Sequence, residues 1–348
     1  METKQNKSVL LPITEPVYST YHHQGNGSAI LAENPSIRNW YYNCAVLLRC
    51  SRRFLYGETS PFVSVEKSGA DDNPYLEKIR IPMRCLGSDM HRIIRRFLNE
   101  GYYVEYRGID DYYVKGKSWY HQRHFLHDGL ICGYDQSEKT YTLFAYDQTW
   151  KYRIFKTPQR CIEKGRKSGF AKDEVSSICA LRPMKENVSL CPKQICEYLR
   201  EYIESTVEVY PLYRGEVARG ISVYDYVAAY LQMLAVGQIS HEHIDRRVFR
   251  MLWEHKKVML ARLRAVETAL GLECVVSEKY IDIVREADVL RMLYASHCVK
   301  RRDSLLEPLC DRLLALRQAE VLLLTRFIDA VKGEISACGF GIICDNNF

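Results

Sequence analysis

The 348-residue chain has no run of 18 apolar residues, so the sequence predicts no transmembrane helix. A secretory signal is not predicted either. The opening "METKQNKSVLLPITEP" is broken by Pro12 and Pro16 before an apolar core of useful length can form. The expected location is therefore cytoplasmic. There is no CxxC pair among the 13 cysteines, and Cys191 and Cys196 stand five apart, a spacing that fits no strong zinc pattern. Neither a metal nor a cofactor is expected. An odd cysteine count in a chain expected in the cytosol points to free thiols, mostly buried as small hydrophobes. Charge of one sign is not concentrated. The net charge is +6, and the densest basic clusters, "CSRRF", "HRIIRRF" and "VKRRDS", are short. Solvated helix faces explain them better than a nucleic-acid surface. Internal repeats and low-complexity segments are absent.

What is present suits a globular chain with a normal core: 47% hydrophobic and 26% charged residues. The length favours two domains. Tyrosine is over-used, 25 against 11 Phe and 4 Trp, and most tyrosines precede residue 155. Phenols in a sheet-rich domain are chiefly packing with a polar handle, and some could line a pocket for an aromatic or amphipathic ligand.

The two halves have different periods, and the expected class is α+β. Up to about 160, "GYYVEYRGID" (101–110), "HDGLICGYD" (127–135), "TYTLFAYD" (140–147) and "KYRIFKTP" (151–158) read as strands, with "DQSEK" as the loop of a hairpin. "SDMHRIIRRFLN" (88–99) reads as a helix, and "NWYYNCAVLL" (39–48) as a buried helix or strand. Residues 160–190 read as a charged connector followed by one more strand, "SSICALRP". From 192 to 333 the period becomes helical. Five helices are expected there, marked by Pro192, Ser222, Gly237, Gly271, Ser277, Pro308 and Gly333 at their ends, and a bundle is the economical packing. The expected domains are 1–185 and 186–335, with 336–348 as a short tail.

The stretch with most chemical content runs from His127 to Asp147. If the two strands pair through "DQSEK", the ends carrying His127 and Asp147 come side by side. Neighbouring strands lie about 4.8 Å apart, within reach of an imidazole and a carboxylate. An Asp accepting from one ring nitrogen leaves the other as a base, which is the His–Asp half of a nucleophilic triad.

On "HFLHDGLICGYD" (124–135), "LFAYD" (143–147), "NWYYNCAVLL" (39–48) and "IDRRVFRMLWEHKKVMLARL" (244–263), the chain resembles the butirosin biosynthesis protein H family. The resemblance covers roughly residues 15–300. It implies a papain-like cysteine-peptidase fold for the N-terminal domain. It also implies transfer of an acyl group from a carrier-protein thioester to an amine in a specialised-metabolite pathway. His127 would be the general base and Asp147 its orienter. An acyl or peptidyl carrier protein and an amine would be the partners, with no nucleic acid and no membrane, and the basic balance suits an acidic carrier. The family's nucleophilic cysteine lies at the start of the first helix, where a helix N-terminus lowers the thiol pKa. The matching place here, in "YHHQGNGSAIL" (21–31), holds His22.

Several readings stay open. His22 and His23 could relay a proton for direct aminolysis, or could be a solvated loop. Gln24 could donate to an oxyanion, Ser28 could be a displaced nucleophile, and His124 could be mistaken for the base. Cys44 is the cysteine nearest in sequence to the expected nucleophile, with Cys50 next. His255 fits a hydrogen-bonded core histidine. A non-catalytic relative that binds a carrier protein or synthetase, and a peptidase or thioesterase-like hydrolase, are the alternatives to acyl transfer.

Overall fold

The computed structural model describes residues 7–56, 61–169, 176–205, 207–209, 216–240, 244–273 and 275–337. The expected tail lies outside them from 338 onward, as does the start of the "HEHID" stretch. In chain order the first elements are β1 (Ser8–Leu10), α1 (His22–Ala29), α2 (Arg38–Cys44), β2 (Leu48–Ser51), β3 (Val63–Val65), β4 (Leu76–Pro82) and α3 (Met90–Asn99). Then come β5 (Tyr103–Asp110), β6 (Leu126–Asp135), β7 (Thr140–Tyr146), β8 (Tyr152–Pro158), α4 (Gln159–Arg166) and β9 (Ser177–Pro183). The remainder is α5 (Pro192–Glu204), β10 (Val207–Val209), β11 (Glu216–Arg219), α6 (Val223–Ala235), α7 (Arg247–Leu270), α8 (Val275–Lys300) and α9 (Leu306–Ala337). The fold is mixed α and β with a helical C-terminal region. No described helix is long and apolar enough to cross a membrane.

Two compact units are formed. One holds the described residues up to Arg38 and those from Gly69 to Asn187; the other holds Asn39–Ser68 and the described residues from Val188 onward. The segment 39–68 therefore leaves the N-terminal domain in which the sequence reading placed it. The reason is local. β2 pairs with β11 and β3 in a small sheet of order β10-β11-β2-β3. The buried Arg262 of α7 donates to the carbonyls of Tyr41, Tyr42 and Ala45 around the C-terminal end of α2.

The first unit is built on an antiparallel sheet of order β4-β9-β5-β6-β7-β8, with β1 on β6. β6 is thus flanked on both sides by strands, β5 and β7. α3 lays Met90, Ile94 and Leu98, one helical turn apart, onto Val104, Ile131 and Leu143 of the sheet. The charged "CIEKGR" of the expected connector is α4, which buries Cys161 and Ile162.

In the second unit α7 buries Val248, Met251, His255, Met259, Leu263 and Val266. It ends at Gly271, whose φ of 65° is the left-handed conformation that stops a helix at little steric cost. Ser277 is not a cap; α8 begins at Val275, and the Ser277 amide donates to Glu267. His255 is a core residue, its Nε2 donating to the Val46 carbonyl at 2.7 Å and its Nδ1 facing Lys256.

Candidate active site

The stretch "HHQGNGSA" is a helix, α1, and its residues are buried except His23. Two glycines make that burial possible. A Cβ on Gly25 would stand 2.9 Å from the Tyr152 ring, and one on Gly27 2.8 Å from the Ala70 backbone. α1 therefore packs flush against β8 and the Gly69–Asp72 turn. Asn26 adds a polar lock: it donates to the buried Glu105 at 2.8 Å and accepts from the Tyr152 hydroxyl at 2.6 Å. Arg107 closes the Glu105 side at 2.7 Å and reaches Asp71 at 2.9 Å.

This packing sets His22, the first residue of α1, against His127, the second residue of β6. Their ring centroids are 4.3 Å apart, edge to face. His22 is buried and boxed by Tyr146 and Tyr152. Its Nε2 accepts the Tyr146 amide at 3.3 Å, which assigns the proton to Nδ1. Burial first, then the charges of Lys117 and His127, hold His22 well below the ordinary imidazole range. A neutral ring with its lone pair taken by an amide is not an available nucleophile.

His127 is oriented by Asp111, not Asp147. Its Nδ1 lies 2.9 Å from Asp111 Oδ2. A carboxylate there requires Nδ1–H and leaves the Nε2 lone pair as the base. Asp111 is fully buried, whereas the His127 side chain keeps 24% of its surface. Beneath the pair sits Lys117, fully buried, donating to the Asp128 carbonyl at 2.7 Å and lying 3.4 Å from Asp111. Lys117 Nζ is also 3.4 Å from His127 Nδ1. Burial and the Lys117 charge hold His127 below its ordinary value, against the opposing pull of Asp111 and Asp128. Burial lowers Lys117 as well, against the same two carboxylates.

Asp147 is a correction with a clear physical cause. Leu130 pairs with Phe144, so continuing that ladder by three residues would set His127 opposite Asp147. The ladder stops first. The Lys117 backbone bridges Asp147, and the chain turns after Tyr146. The Asp147 carboxylate then builds that turn, accepting from the amides of Thr149 and Lys151 at 2.8 and 3.0 Å and from Arg153. Burial alone would raise its pKa, but the Thr149 and Lys151 hydrogen bonds and Arg153 bring it down to about 2.

The other residues singled out in the sequence sort cleanly. Cys44 and Cys50 belong to the second unit, not to the unit that carries His127. Burial raises the Cys44 thiol above its ordinary value and pushes Cys50 up to about 12, so neither is a thiolate at neutral pH. Ser28 is buried, with its hydroxyl accepting the Val17 amide at 2.9 Å, and acts as a strut. Gln24 is buried on α1, and His23 is exposed and stacked on Tyr21. His124 has its own partner: Nδ1 lies 2.7 Å from Asp110, which also accepts from Ser168. Two His–Asp pairs therefore stand on the adjacent carboxylates Asp110 and Asp111.

Asp111 and Lys117 were not singled out in the sequence. The available signal was "GIDDYY" at the end of β5, because β5 flanks β6 on the side away from β7. Ile109 pairs with His127 in that ladder, which places Asp111 two residues beyond. Among the described residues, no cluster of three or more His, Cys, Asp or Glu side chains could hold a metal ion. Compared with known proteins, the chain matches no protein-family model and no curated protein.

Proposed function

We propose that this chain is an acyltransferase-like protein that passes an acyl group from a carrier-protein thioester to an amine, with His127 as general base and Asp111 as its orienter. The observation that carries this reading is the 2.9 Å His127–Asp111 pair, buried at the carboxylate and open to solvent at the imidazole. A papain-like reading of the unit is supported by a short helix whose first residue, His22, touches a strand-borne histidine. Free thiols at every described cysteine suit the reducing cytoplasm in which such a protein would act.

The chemistry follows from what surrounds His127. Among the described residues it contacts Asp111, Lys117, His22 and Phe125, none of them a thiol. The acyl group therefore moves directly. The amine nitrogen attacks the thioester carbonyl carbon while His127 Nε2 takes an N–H proton. The C–S bond of the tetrahedral intermediate then breaks, and the proton passes from His127 to the leaving thiolate. Lys117 favours this cycle by disfavouring a persistent imidazolium, so the base returns to its neutral form. His22 fills the nucleophile position as a wall.

The same observation, an imidazole where a thiol is expected, favours a second reading: a non-catalytic relative that binds a carrier protein or synthetase. Intact-mass analysis with an acyl-loaded carrier protein and a mixture of amines separates the two. The expected result is deacylated carrier, acylated amine and no mass added to this protein. His127→Ala and Asp111→Asn should lower the rate by about 10²- to 10⁴-fold. Equal background deacylation in wild type and variants would leave only the binding reading. Transfer to water alone would make it a hydrolase.

A further inference from the structure

An aromatic surface begins at His127. Phe125 packs edge-on against the imidazole with centroids 5.1 Å apart, Trp119 lies 6.1 Å from Phe125, and Trp150 meets Trp119 at 5.0 Å and 86°. Phe125 keeps 37% of its surface and Trp150 53%, while the other described Phe, Tyr and Trp side chains of this unit are buried or half-buried.

Trp150 is held out in this way by an expensive backbone. Its φ is 58°, a left-handed conformation that a bulky L-residue rarely adopts. Cross-bracing keeps it there. The Trp150 amide donates to the Asp147 carbonyl and the Asp147 amide to the Lys151 carbonyl, both at 2.9 Å, and the Asp147 carboxylate ties the turn from within. Strain maintained by surrounding bonds, in a residue that presents a ring to solvent, is the behaviour of a recognition element. This gives Asp147 its actual task, which is to present Trp150 rather than to orient His127.

We propose that Trp119, Phe125 and Trp150 form an aryl-binding wall beside His127, and that the acyl group brought to this site ends in an aromatic ring. Identifying the ligand as an acyl group rests on the acyl-transfer reading; the aryl preference does not. The two tryptophans meet at a right angle, leaving a corner that takes a third ring edge to face. The rim is cationic. Arg123 lies over Trp119 at 5.8 Å and Lys151 is exposed beside Trp150, while Arg153 is paired with Asp147. Such a rim suits a donor delivered on an arm that carries a phosphodiester.

The test uses unreactive probes with the full chain: the amide analogues of 3-phenylpropionyl- and octanoyl-pantetheine phosphate, and methyl glucoside, titrated by tryptophan fluorescence and calorimetry. The phenyl probe should bind most tightly. Trp150→Gly removes the ring and supplies the residue that accepts a positive φ, so the turn should persist. It should weaken phenyl-probe binding by about two- to twelvefold, the span of one aromatic pair. Trp119→Leu should weaken it similarly, with unfolding curves recorded for both. Binding of the octanoyl probe or the glucoside as tight as that of the phenyl probe would overturn the proposal, and that comparison in wild type decides even if a variant misfolds. Unchanged affinity in a folded Trp150→Gly would overturn it too. Tight, Trp150-dependent phenyl binding with no acyl transfer would keep the wall and remove the acyl-transfer reading.

Discussion

Exchanging one carboxylate for an amide at two places tests which aspartate serves His127. Asp111→Asn removes the charge 2.9 Å from His127 Nδ1 and 3.4 Å from Lys117 Nζ, both in a fully buried setting at the carboxylate. Breaking a buried pair leaves an uncompensated charge, and the expected cost is about 3–5 kcal/mol. For a chain of this size, with an unfolding entropy of about 0.7 kcal/mol/K, that corresponds to a loss of about 4–7 °C in Tm. Asp147→Asn is different. The Asn Oδ1 can still accept the Thr149 and Lys151 amides, and what is lost is an ion pair to Arg153, whose side chain is 55% exposed. The expected cost is about 0–1 kcal/mol. The tautomer of His127 gives the second readout. The amide oxygen left at position 111 is a weaker acceptor than the carboxylate, its NH2 end can donate to a bare Nδ1, and Lys117 beside it can only donate, so the share of rings protonated at Nε2 should rise. Thermal unfolding and the ring nitrogen shifts of His127 in heteronuclear NMR measure both effects. A tautomer change in Asp147→Asn with none in Asp111→Asn would refute the assignment.

Two further outcomes follow from the buried charges. Lys117→Met should raise the titration midpoint of His127, because it removes the charge that adds to burial in lowering it; Asp111, Asp128 and His22 remain around the ring. The folded value of His127 lies below its unfolded value. Its contribution to stability is therefore present above about pH 6.5 and is lost as pH falls through the folded value, and Lys117→Met should flatten that acid-side slope in unfolding measured from pH 7 to 5. In the helical unit, Glu320 accepts from Lys256 at 2.7 Å and from the hydroxyls of Tyr202, Tyr224 and Tyr280, all fully buried. Burial lowers Lys256 to about 8 against the pull of Glu320. Glu320→Ala should cost about 3–5 kcal/mol, because it leaves the Lys256 charge without its counter-ion and three tyrosine hydroxyls without their shared acceptor, and denaturant unfolding that shows no loss would mean the network is dispensable.

Periodicity made much of the architecture legible. The stripe Met90, Ile94, Leu98 allows one way to bury an apolar face, and α3 stands where it lies; β5 also stands where 103–110 reads as a strand, but it is buried on both faces, Glu105 and Asp110 included, rather than on one alternating face. Three things were not legible by that route. α1 carries no apolar stripe, because His22, Gln24, Asn26 and Ser28 are buried by polar bonds and glycine contacts made with distant residues. The strands β2, β3, β10 and β11 are too short for a period to declare itself. β4 presents mixed charges because its outer residues stay exposed.

The site divides along the same line. Sequence alone determined that His127 starts a strand, that a histidine occupies the head of the segment at residue 22, and that no cysteine stands there. These are local facts about residue type and period. Which carboxylate meets His127 was decided only in three dimensions. An inner strand has two neighbours, and a sequence displays only the one reached through a hairpin. The second neighbour, β5, brought Asp111. A single backbone bridge from Lys117 ended the β6–β7 ladder before Asp147 could reach the imidazole, and that turned Asp147 toward Trp150.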